Sequence, residues 1–93
     1  MIALIMALLV TISPQSGYAL IHYPIDREWH EICIYSEGAD YGLVTDIDWE
    51  AISCWKPFYR VEQYQLRLGT RAIKVMLETD KGVEWTSWIN VRP

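Results

Sequence analysis

Asp46, Asp48 and Glu50 alternate along the chain, so a strand would set all three carboxylates on one face. An oxygen-rich face of that kind suits a hard cation such as Ca²⁺. The spacing opens like a helix–loop–helix calcium site, but Ala51 stands where that loop needs glycine and Pro57 where it needs a bidentate glutamate. A solvated strand face is therefore the expectation. His22, Asp26, Glu28, His30 and Glu31 are also metal-ligand types, yet no His-Glu-x-x-His spacing joins them. Cys33 or Cys54 beside His30 has the makings of a nucleophile and base, with no third group to orient the pair. Ser53 lacks a Gly-x-Ser-x-Gly setting. Gly38 and Gly42 have no basic residue with them to hold a phosphate. No catalytic residue, metal site or cofactor is assigned, and the chain is expected not to be an enzyme.

The aromatic residues carry more weight. Five Trp and six Tyr stand in 93 residues, and Tyr, Trp and Arg are the types enriched at binding hot spots. The stretch Arg71 to Val91 predicts a hairpin turning at Asp80-Lys81-Gly82, with Gly82 at the positive φ that a short loop needs. Setting Thr79 opposite Val83 puts Ile73, Val75, Leu77, Trp85 and Ile89 on an inner face. Lys74, Met76 and Trp88 then fall on the outer one. Trp88, with Lys74 beside it for a cation–π contact and Met76 nearby, is the candidate binding surface. Asp46, Asp48 and Glu50 form a second candidate, an acidic face for a basic partner.

Other elements must position these groups. Residues 30–36 read as the first firm strand, with Ile32 and Ile34 on one face and Cys33 and Tyr35 on the other. Residues 37–42 read as a glycine-containing loop. Residues 43–50 read as a half-buried strand, with a helical turn over 46–53 as the competing reading. Pro57 ends regular pairing. From Val61, Tyr64, Leu66 and Leu68 are expected inward, with Gln63, Gln65 and Arg67 outward. Residues 20–29 read as an extended arm or a short edge strand.

Met1 to Ile12 is apolar apart from Thr11, and Gly17 and Ala19 sit at the −3 and −1 positions of a cleavage site before Leu20. The run is the length of a signal-peptide core and too short for a membrane span. Residues 1–19 are therefore expected to be a signal peptide and helical leader, and residues 20–93 one β domain, secreted or periplasmic. No basic residue precedes the run, so an uncleaved membrane anchor and a buried N-terminal helix are the rivals. In an exported chain, the two cysteines predict a Cys33–Cys54 disulfide.

The net charge of −4 hides a division. Residues 26–50 hold eight acids against Arg27 alone, whereas residues 56–93 hold seven bases against four acids. Pairing between the halves is the favoured reading. The basic half is too dilute for nucleic-acid binding.

Residues 73–91, IKVMLETDKGVEWTSWINV, resemble the last two strands of fibronectin type III domains. Ile52 to Pro57 is similar to that family's second strand, and Val61 to Leu68 to its third. The Trp85 to Trp88 run is similar to part of the cytokine-receptor Trp-Ser-x-Trp-Ser signature. The resemblance implies an antiparallel sandwich, although only Gly69 to Arg71 stands where the family places further strands.

The expectation is all-β: a small antiparallel sandwich or partly open barrel of five to six strands with one disulfide, preceded by an apolar leader helix. Its function is expected to be binding or structural, through a protein partner at the aromatic face. No membrane contact is expected after leader cleavage, and the oligomeric state is open. The alternatives are a secreted inhibitor or toxin-like effector acting through segment 37–50, and a carbohydrate-binding module.

Overall fold

The computed structural model describes residues 7–13, 15–41 and 46–91. Among these residues eight strands run in order: β1 (Leu9–Ser13), β2 (Tyr18–His22), β3 (Trp29–Tyr41), β4 (Asp46–Trp55), β5 (Val61–Gln65), β6 (Thr70–Thr79), β7 (Gly82–Trp85) and β8 (Ile89–Asn90). They form two antiparallel sheets. One has the order β1-β2-β5, and the other β4-β3-β6-β7 with β8 also on β6.

Alternation explains why the sheets stack. Ile32 and Ile34 of β3 and Ile73, Val75 and Leu77 of β6 are fully buried. They face Ala19, Ile21 and Tyr23 from the β2 region, all equally buried, with Val10, Ile12 and Tyr64 packed beside them. Every second residue of each inner strand thus reaches one shared core, as a two-layer sandwich requires. Cys33 lies directly opposite Cys54, and the two form the expected disulfide, which ties β3 to β4 within one sheet.

Several expectations change. Residues 1–6 of the expected leader helix lie outside the described residues, and residues 9–13 are a strand. Residues 18–22 are the central strand of the three-stranded sheet, not an arm at its edge. An apolar run satisfies an export signal and a core strand by the same chemistry. Residues 37–41 continue β3, so the glycine at position 38 is no turn. A Cβ there would lie 2.3 Å from the Gly69 carbonyl oxygen and 2.6 Å from the Trp49 ring. The glycine serves close approach. Residues 46–53 are strand, which removes the helical alternative; residues 42–45 lie outside the described part. Leu68 is exposed because β5 ends at Gln65 and a turn follows, closed by the Thr70 N–H on the Arg67 carbonyl at 3.0 Å.

The charge halves do meet. Arg67 pairs with Asp40 and Arg71 with Asp48, each at 3.1 Å. Arg67 also lies 4.4 Å from the centre of the Trp49 ring. Elsewhere, Arg27 bonds Asp26 and Glu84, Lys81 reaches Asp26, and the Glu28 N–H donates to the Asp80 carboxylate. These contacts fasten the β2–β3 connection to the β6–β7 hairpin.

Gly69 has φ +90°, and a Cβ there would sit 2.1 Å from the Ala39 carbonyl oxygen. Gly69→Ala is expected to destabilise the domain by about 1–3 kcal/mol, from an unfavourable φ and displacement of β3, read by denaturant unfolding. A larger loss at Gly82→Ala, whose Cβ meets nothing within 4 Å, would contradict the close-approach explanation.

The hydrogen bond from Arg27 holds the Asp26 carboxyl below its ordinary pKa, helped by the charges of Arg27 and Lys81. A lowered folded pKa contributes stability that is present above the unfolded value and lost as pH falls through the folded one. Acid titration should therefore loosen this tie below the ordinary aspartate range. Asp26→Asn should flatten that part of the stability profile; an unchanged acid limb would count against it.

Candidate aromatic groove on the outer sheet face

The outer face follows from the inner one. With Ile32 and Ile34 turned to the core, Cys33 and Tyr35 turn away from it, as the sequence predicts. The β3–β4 register places Tyr35 opposite Ile52, and the β3–β6 register places it opposite Lys74. Met76 likewise lies between Cys33 and Trp85. Two rows therefore cross the sheet: Cys54, Cys33, Met76 and Trp85 in one, and Ile52, Tyr35 and Lys74 in the next.

The expected hairpin register does not hold throughout. In β7 the partners are Met76 with Trp85 and Leu77 with Glu84, one residue short of the expected pairing. In β8, Ile73 faces Ile89 as expected. One extra residue is accommodated between these stretches, at residues 86–88. There the Thr86 N–H donates to the Val75 carbonyl at 2.9 Å, and the Val75 N–H donates to Thr86 Oγ1 at 3.0 Å. A side-chain oxygen takes the role of a strand carbonyl where the ladder slips, as at a β-bulge.

That slip decides where the tryptophans go. Residues three apart on a regular strand point to opposite faces. Here Trp85 and Trp88 both line a groove of about 550 Å³ with Tyr35, Ile52, Lys74 and Glu50. Trp85 is 53% exposed and Trp88 49%. The expectation that Trp85 is a core residue facing Leu77 is thus corrected. The Tyr35 and Trp85 rings meet at 5.6 Å with a 37° tilt, and the Lys74 ammonium lies 5.0 Å from the Trp85 ring centre. The cation–π partner of Lys74 is Trp85, where Trp88 was expected.

The structure brings Trp88, Lys74 and Glu50 together in the groove. Met76 pairs with Trp85 alongside it. Asp48 is engaged by Arg71, and the Asp46 side chain lies outside the described part. Asp48 and Glu50 do not join in a metal-ligand cluster among the described residues. The cluster found there is Glu31 with Cys33 and Cys54, and both sulfurs are consumed by the disulfide. Tyr35, Ile52 and Trp85 were not assigned to the site from sequence. Tyr35 and Ile52 were within reach, because setting Cys33 opposite Cys54 fixes them as partners two residues along.

Chemically, the groove offers apolar and aromatic walls with one ammonium and one carboxylate. Ser36 also lines it, and its hydroxyl donates to the Ala51 carbonyl at 3.4 Å. A groove of that composition can hold a ligand.

Half-exposed rings do not carry the core. Trp85→Ala and Trp88→Ala should each cost about 1 kcal/mol, the worth of a cross-strand aromatic pair or a cation–π contact. Leu77→Ala should cost about 2–5 kcal/mol. Thermal or denaturant melts compare the three, and a Trp85→Ala loss equal to that of Leu77→Ala would return Trp85 to the core. Comparison with protein-family models, with curated proteins and with solved structures finds no match for the chain.

Proposed function

We propose that the chain is a small exported, non-enzymatic binding module that takes an apolar segment of a protein partner across the Tyr35–Trp85–Trp88 groove. The observation that carries this reading is the placement of two half-exposed tryptophans on one face, beside Tyr35 and Ile52. Aromatic anchors in a pocket with a polar rim are the recurrent anatomy of interface hot spots. Lys74 and Glu50 supply polar groups that would fix orientation. A sugar-stacking platform needs an open ring face, whereas Lys74 lies over Trp85 and Tyr35 abuts it at a tilt. The acidic segment is a weaker candidate, since Asp40 and Asp48 already face arginines.

Export is part of the reading. It is supported by the disulfide, which persists in oxidising compartments, and by the apolar N-terminal run. Among the described residues no helix is long and apolar enough to cross a membrane. Removal before Leu20 would take away β1 together with Ala19, which is fully buried. Burial of Ala19 and pairing of β1 favour retention of this strand in the exported protein. N-terminal sequencing of the exported protein should find residues 9–19 present; a chain starting at Leu20 would overturn retention.

The groove is tested by comparing partners captured from the native host's exported fraction by the wild type and by a Trp85→Ala, Trp88→Ala double variant. The variant is expected to stay folded and lose the partner, while Asp40→Asn with Asp48→Asn keeps it. Loss with the acidic variant alone would move the surface to segment 37–50. Binding to immobilised glycans abolished by the tryptophan variant would favour a carbohydrate ligand.

A further inference from the structure

The loop between β4 and β5 reads Lys56-Pro57-Phe58-Tyr59-Arg60. Its base is fixed: Pro57 is buried, and the Tyr23 N–H donates to the Arg60 carbonyl at 2.9 Å. Its tip is not covered. Phe58 is 76% exposed and Tyr59 71%, so two neighbouring aromatic rings project from an anchored loop. Among the described residues, Arg27, Arg67, Arg71 and Lys81 each face a carboxylate. Lys74 covers Trp85. Lys56 and Arg60 face none, and they flank the two rings.

Beside the loop lies a groove of about 380 Å³. Among the described residues its walls include Lys56 and Arg60, the apolar Ile25, the carboxylate Glu28, and Arg27, whose charge is already met by Asp26 and Glu84. In a chain of net charge −4, this is a locally cationic and aromatic end. The sheet register adds a third observation. Leu9 pairs with His22, and His22 with Val61. β1 therefore begins at the same end of the three-stranded sheet where the loop delivers Val61.

We infer that the Lys56–Arg60 loop docks on an anionic phospholipid surface, with Phe58 and Tyr59 in the interface and Lys56 and Arg60 on the headgroup phosphates. Aromatic rings favour the headgroup level of a bilayer. Basic residues beside an anionic surface each strengthen binding about fivefold, within a Debye length. An exposed tip carrying two rings suits a soft interface, and the groove beside it gives a headgroup phosphate a place next to Lys56 and Arg60. The inference uses the loop and not the aromatic groove of the five-stranded sheet, so either can fail alone.

The full-length chain is tested by co-sedimentation with vesicles of phosphatidylcholine alone and of an equal mixture with phosphatidylglycerol. The wild type is expected to prefer the anionic vesicles, with the preference falling as salt rises. Lys56→Gln with Arg60→Gln should weaken anionic binding roughly 25-fold, at about fivefold per charge. Phe58→Ser with Tyr59→Ser should lower binding to both vesicle types without moving the melting temperature. If that second pair unfolds the domain, the charge pair still decides the matter. Equal binding to neutral and anionic vesicles, binding unchanged in the charge variant, or no vesicle binding at all would each overturn the inference. Retained binding in both variants would assign any membrane contact to the apolar N terminus.

Discussion

The burial of one row of branched side chains governs the molecule. Ile32, Ile34, Ile73, Val75 and Leu77 have no exposed surface, and they can be covered only by a second sheet. Once they point inward, strand alternation leaves no freedom for their neighbours. Cys33, Tyr35, Lys74 and Met76 must then share the opposite face. The disulfide, the aromatic groove and the cation over Trp85 are consequences of that one hydrophobic choice. Fully burying side chains of this size is worth about 1.5–3 kcal/mol each, more than a cross-strand pair on the outer face contributes. The inner row sets the register and the outer face inherits it.

The same hierarchy explains what could be read from the sequence. The alternation of β6 and the inner and outer faces of residues 32–35 were legible because one apolar pattern determines them. So was the disulfide, once export was assumed. Trp85 was misplaced because a regular ladder was extended through residues 86–88, where Thr86 substitutes its hydroxyl for a strand carbonyl. Nothing in Trp-Thr-Ser-Trp announces a slip of one residue. Both choices of register satisfy β6, and only the junction with Ile89 distinguishes them. Gly38 was misread for a different reason. Glycine marks turns and close approaches alike, and the Gly69 backbone that passes over it comes from a distant part of the sequence. Residues 9–22 were hidden by a true ambiguity, since export machinery and a protein core both select apolar residues.

Charge is divided on the molecule in a way the sequence only half showed. The acidic stretch and the basic second half meet through Asp40 with Arg67 and Asp48 with Arg71. These pairs are exposed, and pairs of that kind contribute little stability. Their effect is on the electrostatic surface. With Arg67 and Arg71 engaged, Lys56, Arg60 and Lys74 have no carboxylate partner among the described residues, and Lys74 lies over Trp85. The basic second half of the sequence is thereby reduced to a locally cationic end on an acidic protein.

The two candidate surfaces sit on separate parts of the fold and do not compete. Ile52, on the wall of the groove, is three residues before Trp55 on β4, so about 10 Å of strand separates it from the start of the loop. The groove opens on the face of the five-stranded sheet, whereas the loop leads into the edge strand of the other sheet. The linings of the two grooves have no residue in common, so the energetic effects of substitutions in one and in the other should add. A departure from additivity would mean that the ligand of one surface reaches the other, and that the two are halves of a single site.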